Sequence, residues 1–116
     1  MLTVGPMPDK FSVEKRADSD IVGCYQAITN YKDKTCFVIG GFDYSTLSSV
    51  FRYKISKDQW EQGTPDLKTA RAGAAACSFG DSVFVFAGTS GGKLLNSVER
   101  INVPAIANGV AVWELI

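Results

Sequence analysis

The chain has 116 residues, with twelve basic and twelve acidic side chains and no histidine, so its formal charge at neutral pH is zero. That length suits one modest core, and the charge balance leaves no electrostatic case for nucleic acid or an anionic membrane. Lack of histidine removes the commonest general base, the Ser-His-Asp and Cys-His nucleophile systems, and most zinc and copper ligand sets.

The N-terminal "MLTVGPMPDK" lacks the basic flank and apolar core of a signal peptide. No apolar run nears the roughly 20 residues of a membrane span. "GCYQAIT" (Gly23 to Thr29) reads as a first strand, and "NYKDKT" as a hairpin turn. "CFVI" (Cys36 to Ile39) is β-branched and aromatic, stops at Gly40-Gly41, and is expected to be buried on both faces. A polar loop, Phe42 to Leu47, leads into "SSVFRYKI" (Ser48 to Ile55). There Phe51, Tyr53 and Ile55 share one face while Arg52 and Lys54 take the other. "QWEQ" is a short fourth strand, followed by a loop from Gln62 to Ala70.

"RAGAAACSFG" (Arg71 to Gly80) is alanine-rich and helical by propensity. Gly73 interrupts it and it is too short for a stable isolated helix, so it reads as a strand. "FGDS" turns the chain into "VFVF" (Val83 to Phe86), which stops at Ala87-Gly88 and is again expected to be buried on both faces. The loop Thr89 to Leu95 follows. "NSVERINV" (Asn96 to Val103) alternates less cleanly, because Ile101 and Val103 share a face with Glu99. "NVPAIANGVA" reads as a surface loop, and "VWELI" as a closing strand.

The chain thus says nearly the same thing twice. Gly40 and Ala87 are 47 residues apart, Val50 and Val98 are 48, and Trp60 and Trp113 are 53. The drift falls in the loops, where length is absorbed. Each copy is four short strands, and a repeated four-stranded antiparallel sheet is a propeller blade. Small side chains suit the crowded inner strand, which accounts for "AGAAAC".

The pattern resembles the kelch repeat: an apolar strand ending in Gly-Gly, then a Tyr, a Trp, a Pro and an Arg before the next blade. The matching residues are Gly40, Gly41, Tyr53, Trp60, Pro65 and Arg71. The second copy keeps Gly88 and Trp113, but has Ala87 for the first Gly and Ile101 for the Tyr. The fold expected is all-β: two four-stranded antiparallel blades of a kelch-like β-propeller, with the ring not closed by this chain alone. Residues 1–20 would end a preceding blade or act as linker, 21–66 would form blade 1, and 67–116 blade 2; "GPMP" (Gly5 to Pro8) resembles the stretch after a preceding blade's Trp. In such blades the glycines permit positive φ and close backbone approach, and the Tyr and Trp fill space between sheets. The Arg packs its stem on a neighbouring sheet and turns its head to backbone carbonyls.

Two blades fall short of the roughly four to eight that close a propeller, and "VWELI" offers no polar cap. Further blades, from the same or another chain, are therefore expected as partners.

Catalytic motifs are thin. "AGTSGGKLL" (Ala87 to Leu95) resembles a phosphate-binding loop, but the motif needs glycine at 87 and Ser or Thr at 94, where the chain has Ala87 and Leu94. Asp18, Asp20, Asp43, Asp58, Glu61, Asp66 and Asp81 read as turn formers and solvated surface. The copper-oxidase branch of kelch-type propellers needs histidine ligands and is rejected. No cofactor, metal or catalytic residue is expected.

Cys24, Cys36 and Cys77 are an odd number with no close pair. They suit buried thiols in a reducing compartment, hence the cytoplasm. The resemblance implies partner peptides on the face shared by the second-to-third-strand loops and the loop into the next blade. The residues proposed to meet a protein partner are Phe42, Asp43, Tyr44, Thr89, Ser90 and Lys93, with Tyr44 foremost because aromatic side chains are enriched in hot spots. The expected function is a non-catalytic protein-interaction module or scaffold. Alternatives are a structural subunit of a large complex, or loops lent to an active site completed by another chain.

Overall fold

The computed structural model describes residues 23–116. The segment 1–20, the "GPMP" stretch, Asp18, Asp20 and the first two residues of the expected blade 1 lie outside them. In chain order the strands are β1 (Ala27–Tyr31), β2 (Thr35–Ile39), β3 (Val50–Lys54), β4 (Gln59–Glu61), β5 (Ala75–Phe79) and β6 (Ser82–Phe86). There follow β7 (Thr89–Ser90), β8 (Lys93–Leu94), β9 (Val98–Asn102), helix α1 (Val103–Ala107) and β10 (Glu114–Leu115). Two four-stranded antiparallel sheets result, ordered β1-β2-β3-β4 and β5-β6-β9-β10. These are the two blades. They stack face to face with β1 beside β5, and they do not close a ring.

The alanine-rich stretch is extended, as the interruption at Gly73 predicts. β5 covers its second half, and Ser78 Oγ donates to the Asn30 carbonyl of β1 at 2.6 Å. Tyr31 and Lys32 of the first blade both reach Asp81 of the second, at 3.4 and 2.9 Å.

Several details differ from the sequence reading. Cys24 and Cys77 are exposed and Cys36 is half-buried where buried thiols were expected, because each sheet is covered on one face only. β1 runs Ala27–Tyr31, taking Asn30 and Tyr31 from the expected turn. β3 stops at Lys54, and Ile55 opens a 3-10 turn instead of continuing the Phe51–Tyr53 face. β9 stops at Asn102, because "VPAIA" forms a helix where a loop was expected. Pro104 is tolerated in its first turn, and the Asn102 side chain caps it by accepting from the Ala105 amide at 3.0 Å. The loop after Gly88 is folded into the β7–β8 hairpin, whose tip glycines Gly91 and Gly92 take φ of 59° and 85°. Finally, "CFVI" and "VFVF" are each fully buried on one face only: Phe37 and Ile39, then Val83 and Val85, while Cys36, Val38, Phe84 and Phe86 are half-exposed. Each sheet has one inter-sheet neighbour among the described residues, so only one face is covered.

The repeat shows in which positions that neighbour covers. The face of blade 1 that meets blade 2 carries Ala27, Tyr31, Phe37, Ile39 and Val50, all buried. The corresponding face of blade 2 carries Ala75, Phe79, Phe84, Phe86 and Val98, all half-exposed or exposed. The opposite pair behaves in reverse. Val83, Val85, Ile101 and Trp113 of blade 2 are buried against blade 1. Their counterparts Cys36, Val38, Tyr53 and Trp60 are half-exposed, with the Tyr53 and Trp60 rings 5.0 Å apart and Phe51 edge-on to Trp60. Chemistry at equivalent positions is similar and burial is not, so burial follows the neighbouring sheet. Each large apolar side chain fully covered contributes about 1.5–3 kcal/mol.

Ala87 sits at φ 55°, where a side chain costs energy that glycine does not. Ala87→Gly is expected to raise stability by about 0.5–1 kcal/mol, after the extra entropy of the unfolded chain is set against it. The check is the urea midpoint at unchanged slope; a lower midpoint would count against strain at this residue.

Candidate functional site

The connection between blades, residues 62–74, is stitched to both sheets. The Leu67 and Arg71 amides donate to the Ser48 and Leu47 carbonyls of blade 1, at 2.8 and 3.0 Å. The Arg71 carbonyl accepts from Gly41 at 2.7 Å. Ala72 exchanges two backbone bonds with Thr89 of blade 2, each 2.9 Å. This approach explains the Gly-Gly ending of β2. A Cβ at Gly40 would lie 2.3 Å from the Arg71 carbonyl oxygen, and one at Gly41 would lie 2.9 Å from that of Cys24. At Gly88 the clash would be with the Ala72 oxygen, at 2.8 Å.

The anchor of the connection is a buried ion pair. Arg71 Nη2 lies 3.2 Å from Glu99 Oε2, and both side chains are wholly shielded from water. Glu99 also accepts from the Lys68 and Thr69 amides, at 2.7 and 3.0 Å. Arg71 donates to the Ala87 and Ser97 carbonyls, both at 2.9 Å, and to Ser97 Oγ at 2.8 Å. Among the described residues no buried side-chain nitrogen or oxygen lacks a partner. The Arg71 head therefore meets two backbone carbonyls. Its pairing with Glu99 was missed, although the poor alternation of β9 was the signal: an acid on the face of Ile101 needs a buried cation.

The remaining structural-motif residues fall around this connection. Trp113 is buried, and its indole Nε1 donates to the Pro65 carbonyl at 3.0 Å. Tyr53 and Trp60 lie together on the free side of blade 1, and Tyr53 hydrogen-bonds to Asp58. Gly40, Gly41, Ala87 and Gly88 all take positive φ, at 66°, 114°, 55° and 90°.

The six residues expected to meet a partner lie on two adjacent loops at one end of the blades. Phe42, Asp43 and Tyr44 are on the β2–β3 loop, and Thr89, Ser90 and Lys93 on the β7–β8 hairpin. The loops are joined where the Gly91 amide donates to Thr46 Oγ1 at 3.2 Å. Tyr44 is 97% exposed and held at φ 67°. Phe42 is 40% exposed, with its backbone paired to Cys24 by bonds of 3.0 and 2.8 Å. Lys93 is exposed, whereas Thr89 and Ser90 are half-buried and the Thr89 backbone is engaged by Ala72. Two exposed apolar residues on this rim escaped the sequence reading. Tyr25 follows Cys24, and Leu94 stands beside Lys93. Leu94 lies within the expected Thr89–Leu95 loop and Tyr25 within the expected first strand, and neither was among the six residues chosen.

Two stretches, residues 32–66 and 70–104, match the Kelch motif. Kelch-like protein 36 of Bos taurus is 30% identical across 74% of this chain. The chain spans 17% of that protein's length.

Removing one partner of a buried pair strands the other charge, and the cost far exceeds that of breaking a surface pair. Glu99→Gln is expected to destabilise the protein by about 3 kcal/mol. Glu114→Gln breaks the solvent-exposed Arg100–Glu114 pair, 2.8 Å long, and should cost less than about 1 kcal/mol. Chemical denaturation of both variants checks the ranking. Equal losses would show that the buried pair is not the anchor.

Proposed function

The chain belongs to the kelch-repeat family, and from that we propose that it is a non-catalytic protein-interaction module whose docking surface is the rim formed by the β2–β3 loop and the β7–β8 hairpin. Kelch repeats serve in general as protein-interaction modules. The observation that carries the reading is Tyr44, an aromatic side chain 97% exposed on a backbone fixed in the left-handed region. A large ring on a pre-set loop gives contact area at little entropic cost on binding. Phe42, Tyr25 and Leu94 extend the apolar part of this rim, and Asp43 and Lys93 give it polar contacts.

The same proposal includes further blades, from this or another chain, over the two open sheet faces. The half-exposed Phe84 and Phe86 on one side, and Phe51, Tyr53 and Trp60 on the other, support it, because each occupies a position whose repeat counterpart sits at the blade–blade interface. A scaffold or structural-subunit role would use those faces. We place the protein in the cytoplasm, a reading supported by three cysteines carrying free thiols. Among the described residues no helix is long and apolar enough to cross a membrane.

Affinity capture with quantitative mass spectrometry tests the rim. Tyr44→Ala should weaken retention of a specific partner about 30-fold, the loss of one aromatic hot spot. Lys57→Ala, at the other end of the blade, should leave that partner in place. Identical partner lists for wild type and Tyr44→Ala would refute the rim as the docking surface.

A further inference from the structure

We propose that the cleft between blade 1 and helix α1, at the end of the blades opposite the loop rim, binds a dianionic phosphoryl group through Lys34 and Lys54. The cleft encloses about 310 Å³. Lys32, Lys34, Arg52 and Lys54 line it on one side, and Val103 and Ala107 of α1 form the apolar wall. Four cations thus line one side of a cavity in a chain whose net charge is zero.

Two of the four are already balanced. Lys32 Nζ lies 2.9 Å from Asp81 Oδ1. The hydrogen bond from Lys32, followed by its charge, holds the Asp81 carboxyl below its ordinary range. Arg52 donates to Thr64 Oγ1 and the Gln62 carbonyl, at 2.6 and 2.9 Å, and faces Glu61 across the sheet. Lys34 and Lys54 make no ion pair among the described residues. Both nevertheless line the one cleft. Thr35 pairs with Lys54, and the Lys34 carbonyl accepts the Ile55 amide at 2.9 Å. Like charges sharing one cleft repel. A doubly charged oxyanion between them reverses the sign of that interaction, and the apolar wall of α1 strengthens it.

The second blade supplies the internal control. Its matching notch, about 380 Å³, is lined by Ser82, Arg100, Asn102 and Glu114. Asn102 stands where blade 1 has Lys54, Asp81 stands where it has Lys34, and Glu114 neutralises Arg100 at 2.8 Å. The repeat therefore provides a notch, while the uncompensated positive charge belongs to blade 1 alone.

The test is an NMR amide-shift titration of the intact protein at fixed ionic strength, at a pH where phosphate is a dianion. Inorganic phosphate and a short phosphoserine peptide are the two probes, and the tighter one identifies the source of the phosphoryl group. Saturable shifts are expected at residues 32–35, 54–55 and 103–107. Lys34→Gln combined with Lys54→Gln should weaken binding about tenfold or more, and Lys68→Gln should leave it unchanged. Shifts scattered over the surface without saturation for both probes overturn the proposal, as does an equal effect of Lys68→Gln. The wild-type titration decides the matter even if the double variant does not fold.

Discussion

The Arg71 guanidinium and the Glu99 carboxylate are both sealed from water, and the way the blades meet depends on their staying paired. Burying each ion costs several kcal/mol, which their attraction offsets only when every remaining hydrogen-bonding position is filled. Here they are filled by the connection on one side and by blade 2 on the other. Glu99 holds the Lys68 and Thr69 amides, and Arg71 holds the ends of β6 and β9 through the Ala87 and Ser97 carbonyls. The connection, already tied by backbone bonds to blade 1 and to Thr89, is thereby anchored against blade 2 as well. At the equivalent places blade 1 has Gly23 and Phe51, so the sheet does not require the ions. The pair sets the path of the connection, and Arg71 ties the ends of β6 and β9 together as it does so.

The fold was legible in the sequence because it is written twice. Strand positions, their pairing and the small pair after β2 and β6 follow from alternation and spacing, and Gly73 with the short length of the run decided the alanine-rich stretch against its helical propensity. The boundaries were less legible where a competing local preference won. Asn102 is a good helix cap and Pro104 suits a first turn, so five residues of the expected loop coil up. Gly91-Gly92 suits a tight hairpin tip, so the expected loop pairs with itself. Face burial was over-read because an apolar run reports what a strand can bury, not which neighbour is there to cover it.

The rim was readable in part. Loop position follows from strand order, which placed Phe42, Asp43 and Tyr44 beside the Thr89–Leu94 hairpin. Tyr25 could not be found that way, since it turns out at φ 62° just before β1, whereas Leu94 lies within the expected loop. The Arg71–Glu99 contact joins residues 28 apart in sequence, and only their common opposition to β-strand patterning hinted at it.

The methyl group of Ala87 has an architectural consequence. At the equivalent place in blade 1, the atom that methyl would add lies 2.3 Å from the carbonyl of the incoming connection. A segment passing blade 2 along the same track would collide with it. The two joints of this repeat are therefore not interchangeable modules: a connection laid beside Ala87 as the present one is laid beside Gly40 would need another route.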